Sequence, residues 1–240
     1  MDPVDTAELH ARILGIVREG GHALVLHVNA YGLNLCYRDP ALRSFFNAAS
    51  LVFCDGAGVM LAARILGKRL PERITYADWA WRLASFAERE NLSLFLLGAR
   101  PGIAERAAVQ LLARHPNLKI AGVHHGYFDR TPGAPENEAV LREINAAKPD
   151  ILLVGFGMPL QERWLMQNWD QIDARLALTG GAVFDYVSGE LKRGPRFLTD
   201  NGFEWLARLL IEPKRLWRRY VIGNPLFLLR VLKQRLTRNG

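Results

Sequence analysis

The sequence predicts an α/β fold: a mainly parallel sheet with helices on both faces, followed by a basic helical appendage. Three observations predict it. Short apolar runs alternate with amphipathic stretches between residues 22 and 179. The joints between them are short and glycine-rich, as where successive strand–helix units build a parallel sheet. After Gly194-Pro195 the alternation stops and cations accumulate.

Taken in order, Leu9, Ile13, Ile16 and Val17 recur at helical spacing and predict a helix over residues 5–17. Residues 22–28 form an apolar run bounded by Gly20-Gly21 and Asn29, which reads as a buried strand. Asp39-Pro40 opens a helix with proline at its first position. Residues 51–54 read as a second strand, and Asp55-Gly56-Ala57-Gly58 turns it into a helix over 59–66. A helix over 76–90 precedes a third strand over 92–97, which ends in Gly98. Then follow a helix over 101–115, a strand over 118–123, a helix over 136–148, a strand over 151–154 and a helix over 159–169. A sixth strand over 174–179 runs into Gly180-Gly181. Such an order is Rossmann-like. The expected organisation is an α/β domain over residues 1–194 and a basic amphipathic tail over 195–240, its helices broken at Glu212-Pro213 and Asn224-Pro225.

The chain has 240 residues, half of them hydrophobic and 23% charged, enough to bury a sizeable core. That excludes a disordered chain, a collagenous fibre and a disulfide miniprotein. The net charge of +7 is unevenly placed. Residues 191–240 carry twelve Lys and Arg against Asp200, Glu204 and Glu212, a net +9, so the rest is close to neutral. An anionic partner is expected, and the tail is what meets it. Cys36 and Cys54 lack C-x-x-C spacing, which favours a reduced, intracellular protein. The acidic N-terminus does not read as a secretory signal, and no apolar run approaches the roughly 18–20 residues of a membrane span.

In open parallel sheets ligands sit beyond the carboxyl ends of the strands. The candidate loops are therefore Asn29, 55–58, 98–102, 124–128, 155–161 and Gly180-Gly181. Asp55 stands at a strand tip, where a general base belongs, although aspartate there also caps helices; the two roles are compatible. Gly56 and Gly58 let a ligand approach a helix N-terminus that favours an anion. Gly98 and Gly102 resemble part of a phosphate loop, but no full G-x-G-x-x-G and no acidic ribose clamp follows, which argues against a nicotinamide cofactor. There is no G-x-x-x-x-G-K-[ST] for an ATPase loop. His124 and His125 are neighbours on a strand and point to opposite faces, with no ligand pattern to complete a metal site. No D-x-D spacing occurs to clamp a magnesium diphosphate. Gly157 frees backbone near a ligand, and the amide of Gln161 either reads a uracil or sugar edge or is solvated in a first helical turn. Lys192 and Arg193, following Asp185, either neutralise a diphosphate or decorate the surface.

The tail is the densest signal. Lys214, Arg215, Arg218 and Arg219 surround Trp217 and Tyr220, and the strongly apolar residues of the stretch 226–236 are flanked by Arg230, Lys233 and Arg235. Interfacial membrane helices combine apolar burial with attraction to anionic lipid. A DNA-binding tail would also be basic but would carry fewer contiguous leucines. The plain alternative is a terminal helix packed on the core.

Taken in order, these joints resemble the WecG/TagA/CpsF glycosyltransferase family. The matching pieces are Asn29, 55–58, Leu70-Pro71-Glu72-Arg73, 97–102, 122–128, Lys148-Pro149-Asp150, 155–162, 180–185, 204–209 and 212–220, covering the chain from about residue 22 to 230. The resemblance implies an inverting, metal-independent transferase with no cofactor. It would pass a hexose or N-acetylhexosamine from a UDP-sugar to a polyprenyl-diphosphate-linked sugar, in bacterial surface polysaccharide or teichoic acid synthesis. It implies a peripheral protein on the cytoplasmic face of the inner membrane. Asp55 matches the family's proposed base, and Asn29, Arg73 and Gln161 match substrate-pocket positions. The tail matches a membrane-docking appendage in which Arg208, Arg215 and Arg218 are candidates for holding the diphosphate. One position departs: many members carry Thr two residues before the Asn, and here a larger, titratable ring, His27, stands among the substrate-binding candidates. Two other readings are a non-catalytic nucleotide-sugar-binding regulator and a basic nucleic-acid binder. A homo-oligomer is compatible with the sequence.

Overall fold

The structure, a computed structural model, describes residues 1–238. The chain opens with α1 (Thr6–Arg18), β1 (Ala23–Val28), α2 (Ala30–Arg38), α3 (Pro40–Ala48), β2 (Leu51–Cys54) and α4 (Ala57–Ile65). It continues with α5 (Tyr76–Arg89), β3 (Ser93–Gly98), α6 (Ile103–Arg114), β4 (Lys119–His124), α7 (Pro135–Ala147), β5 (Ile151–Gly155), α8 (Leu160–Asn168) and β6 (Leu176–Thr179). It closes with α9 (Val183–Val187), α10 (Arg196–Asp200), α11 (Glu204–Ile211), α12 (Pro213–Trp217), a π-helical turn (Arg218–Ile222) and α13 (Gly223–Arg238).

The six strands form one sheet in the order β2-β1-β6-β5-β3-β4, and every pairing is parallel. The predicted α/β class is therefore the observed one. Five strands are buried almost throughout, because helices cover both faces; hence their near-continuous apolar sequences. The edge strand β4 is the exception, with Lys119 exposed, a charge that discourages pairing with another chain. One face of the sheet packs on α1, α5, α6 and α9 through Leu9, Trp79, Leu83 and Phe184. The other packs on α7 and α8 through Leu141, Trp164 and Leu165, and on α3 through Leu42 and Phe46. Each large apolar side chain so buried contributes roughly 1.5–3 kcal/mol. Cys36 and Cys54 are free and buried.

Two helices come as additions to the sequence reading. α2 begins directly after β1 because Asn29 caps it, its Oδ1 accepting from the Tyr31 and Gly32 N–H groups at 3.1 Å each. Its Gly32 and Asn34 are poor helix formers, so periodicity alone hides it. The five-residue α9 follows Gly180-Gly181. The tail breaks at Glu212-Pro213 as expected, but not at Asn224-Pro225. There the π-helical turn at Arg218–Ile222 runs into α13, with Pro225 in the first turn of that helix. Proline lacks an N–H and clashes with the carbonyl four residues back, a conflict that a wider turn upstream accommodates.

The tail lies on the body. Phe227 and Val231 of α13 are buried against Ala62 of α4. Asn34 in α2 donates to the Gly223 carbonyl at 2.8 Å and accepts from Arg230. Arg73 donates to the Thr199 carbonyl at 2.8 Å.

Candidate active site

A cavity of about 1170 Å³ opens beyond the carboxyl ends of the strands. The loop after every strand contributes to it: Asn29 after β1, Asp55 after β2, Ala99 after β3, Gly126 after β4, Phe156 after β5 and Gly181 after β6. The tail closes the other side, with Arg208 from α11, Arg215 from α12, and Arg218 and Arg219 from the π-helical turn.

Asp55 is held by the sheet itself. Its N–H donates to the Val28 carbonyl at 2.9 Å, extending the β1–β2 ladder by one residue. Its side chain does not cap α4, whose N-cap position is Gly56. The carboxyl group, 22% exposed, faces the cavity. Burial pushes its pKa up to about 6, against the fields of Arg219, Arg73 and Arg208. Such a carboxylate is largely ionised at neutral pH yet more basic than an ordinary aspartate, which suits proton abstraction.

His27 lies beside it, 3% exposed. Its Nδ1 is 2.6 Å from the Thr179 carbonyl oxygen and 3.0 Å from Thr179 Oγ1, and its Nε2 is 3.8 Å from Asp55 Oδ2. Burial is the main cause that lowers its pKa to about 4. The Tyr76 ring meets His27 edge-on at 5.2 Å, and the Tyr76 hydroxyl is buried with no hydrogen-bond partner among the described residues. Asn29 lines the cavity with its Oδ1 spent on the α2 cap, which leaves its NH2 group to donate.

Several candidates lie elsewhere. Gly56 and Gly58 approach Asn29 and Ala30 rather than line the cavity, and Gly98 lies against the Gly155 backbone. Gln161 is neither a solvated first-turn residue nor part of the cavity lining: it is fully buried. Its Oε1 accepts from the N–H groups of Gly157 at 3.1 Å and Gly181 at 3.0 Å, so it ties two cavity loops together. Gly157 does line the cavity. Arg73 is outside the lining and reaches Asp55 only through its field; its contacts are Thr199 and Glu204. Arg193 forks onto Asp78, fastening the segment that leads into the tail. Lys192 is also outside the lining.

Asp185 lines the cavity, its pKa raised by burial against the fields of Arg100 and Arg215. Arg208 lies over the Tyr186 ring and 3.5 Å from Glu212, which also pairs with Arg215 at 2.7 Å. Arg218 lies over Trp217. Sequence reasoning passed over Arg219, which sits 4.6 Å over the Tyr31 ring and exerts the strongest charge influence on Asp55. Nothing in four adjacent basic and aromatic residues says which one turns inward. Tyr76 was likewise missed: it reads as one more aromatic of a core helix. His124 turns its Nδ1 to the His125 carbonyl at 2.7 Å, and among the described residues no three His, Cys, Asp or Glu gather as metal ligands.

A sequence model of the glycosyl transferase WecG/TagA/CpsF family matches residues 1–240. The chain belongs to this family. It is accordingly a glycosyltransferase. It is similar to the N-acetylglucosaminyldiphosphoundecaprenol N-acetyl-beta-D-mannosaminyltransferase of Staphylococcus aureus strain MRSA252, at 32% identity over 209 residues, covering 87% of this chain and 79% of the relative. The protein of the same name from strain MW2 is 31% identical over the same shares. Within this WecG/TagA/CpsF member, no helix of the described residues is long and apolar enough to cross a membrane.

Proposed function

We propose that the protein transfers a hexose or N-acetylhexosamine from a UDP-sugar to a polyprenyl-diphosphate-linked sugar, with inversion and without a metal ion. The observation that carries this reading is Asp55, a carboxylate of raised pKa at a strand tip, opening on a cavity roofed by arginines. The relatives' names supply the acceptor class, since each names a diphosphoundecaprenol-linked sugar.

In this mechanism Asp55 takes the proton of an acceptor-sugar hydroxyl as its oxygen attacks the donor's anomeric carbon. One displacement by one base inverts that carbon. The departing UDP gains negative charge, and Arg208, Arg215, Arg218 and Arg219 offset it in a partly enclosed site. The amide of Asn29 is placed to hold a sugar or diphosphate oxygen. The exposed apolar and cationic faces of the tail rest on the anionic cytoplasmic surface of the inner membrane, bringing the lipid-linked acceptor to the cavity.

The test is turnover of Asp55→Asn on a lipid-diphosphate-linked acceptor, with and without chelator. Loss of a general base lowers the rate about 10²–10⁴-fold. Near-normal turnover would remove Asp55 from the chemistry, and loss of wild-type activity on chelation would remove the metal-independent reading.

A further inference from the structure

The proposed base is not the only titratable group at the cavity floor. The β1 strand delivers a buried imidazole to the same place, and its two nitrogens are treated differently. Nδ1 has the Thr179 carbonyl oxygen at 2.6 Å. A carbonyl oxygen only accepts, so Nδ1 carries the hydrogen and Nε2 is a bare lone pair. The backbone N–H of His27 also donates to Thr179 Oγ1, at 3.2 Å, so β6 grips the residue at two points. Nε2 has no hydrogen-bond partner among the described residues; Asp55 Oδ2 lies 3.8 Å from it, and the charge of Arg219 also acts on the ring.

That distance is too long for a hydrogen bond. While Asp55 is ionised, two acceptors face each other across that gap. Once the carboxyl group takes up a proton, a donor and an acceptor face each other, and a small side-chain rotation brings them to roughly 2.7–3.0 Å.

We propose that His27 is a positioning residue for the base: its Nε2 accepts a hydrogen bond from Asp55 when that carboxyl group holds the proton taken from the acceptor sugar. The proposal rests on the reading of Asp55 as base. The proton leaves the sugar hydroxyl for Asp55 Oδ2 and the sugar oxygen bonds to the anomeric carbon. The bond from that carbon to the phosphate oxygen breaks, and UDP departs with the electron pair. The proton stays between Asp55 and Nε2 until water removes it. Other groups act on the same carboxyl. Arg219 of the π-helical turn, Arg73 of the loop before α5 and Arg208 of α11 favour its ionised form. Its charge also reaches Tyr76 of α5, Tyr186 of α9 and Glu204 of α11. The imidazole is the neutral acceptor of this set, and it acts on the protonated form.

Two measurements test this. The first is nitrogen NMR of the full chain labelled in histidine. The expected spectrum shows His27 as the neutral Nδ1–H tautomer. Its Nε2 signal should step as Asp55 titrates near pH 6, and the step should vanish in Asp55→Asn. An Nε2–H tautomer, or no step that depends on Asp55, overturns the proposal.

The second is the pH profile of UDP release in wild type, His27→Ala and His27→Gln. Removing the acceptor weakens proton binding at Asp55, so the acidic limb of His27→Ala should fall by about one pH unit, a tenfold change in proton affinity. His27→Gln keeps an oxygen acceptor, so its limb should lie nearer wild type. An unmoved limb in folded His27→Ala overturns the proposal while leaving the base in place. Full turnover by Asp55→Asn instead removes the base reading on which it stands.

Discussion

Glu162 shows how far a single residue depends on its surroundings. In the sequence it is an ordinary acidic residue in the first turn of a helix. In the fold it is fully buried, its Oε1 accepting from Gln161 at 2.8 Å and its Oε2 without a partner among the described residues. Burial pushes its pKa up from 4.5 to about 7, against the hydrogen bond from Gln161. The folded state therefore holds a proton that the unfolded chain releases. This contribution to stability is complete below about pH 4.5 and is lost as pH rises through about 7. A shift of that size corresponds to roughly 3 kcal/mol. Glu162→Gln keeps an acceptor for Gln161 and cannot ionise. Urea unfolding at pH 5 and pH 8 should show a smaller loss of stability with rising pH in the variant than in wild type. Equal losses in both would mean that Glu162 does not titrate with folding.

Among the elements, β3 and β5 meet backbone to backbone. The strands end side by side at Gly98 and Gly155, and a Cβ on Gly98 would lie 2.5 Å from the Gly155 carbonyl oxygen. Its φ of +152° already disfavours a side chain. Gly102, four residues on, also has positive φ, but a Cβ there meets nothing within 4 Å. Gly98→Ala combines strain with collision, whereas Gly102→Ala has only the strain, about 1 kcal/mol. Thermal unfolding should place Gly98→Ala clearly below Gly102→Ala. Equal melting temperatures would mean that the strand ends separate without penalty. The glycine-rich joint resembled a phosphate loop because both need close backbone approach; here the approaching backbone at Gly98 is another strand.

Over the whole molecule, charge and apolar surface are concentrated in the last fifth of the chain. α13 uses Phe227 and Val231 to pack on α4, yet leaves Leu229, Leu232 and Leu236 exposed, as α11 leaves Leu210. Exposed leucines among cations form the surface that an anionic bilayer would bind. Removing everything after residue 212 should release the protein from phosphatidylglycerol vesicles, but it would also uncover Ala62. Leu229→Ser with Leu236→Ser is the cleaner variant, because both side chains point away from the body. It should co-sediment several-fold less at low salt while melting like wild type. Undiminished sedimentation of the folded double variant would rule out docking through this face.

The sequence by itself determined the succession of the six strands, most of the helices between them, the parallel sheet and the loops that meet beyond its strand ends. Those follow from periodicity, glycine and proline, which act over a few residues. The motif series also pointed to the glycosyltransferase family. Only the tertiary structure decided which side chains remain available to a ligand. Gln161 is used up by Gly181, twenty residues away, and Arg73 by Thr199, 126 residues away in sequence. Arg219 turns inward where its neighbours gave no sign of it. α2 was hidden because a cap and burial, not periodicity, define it. The physical reason is common to the three side chains: long-range hydrogen bonds and burial assign each polar group its partner, and local sequence carries no record of either.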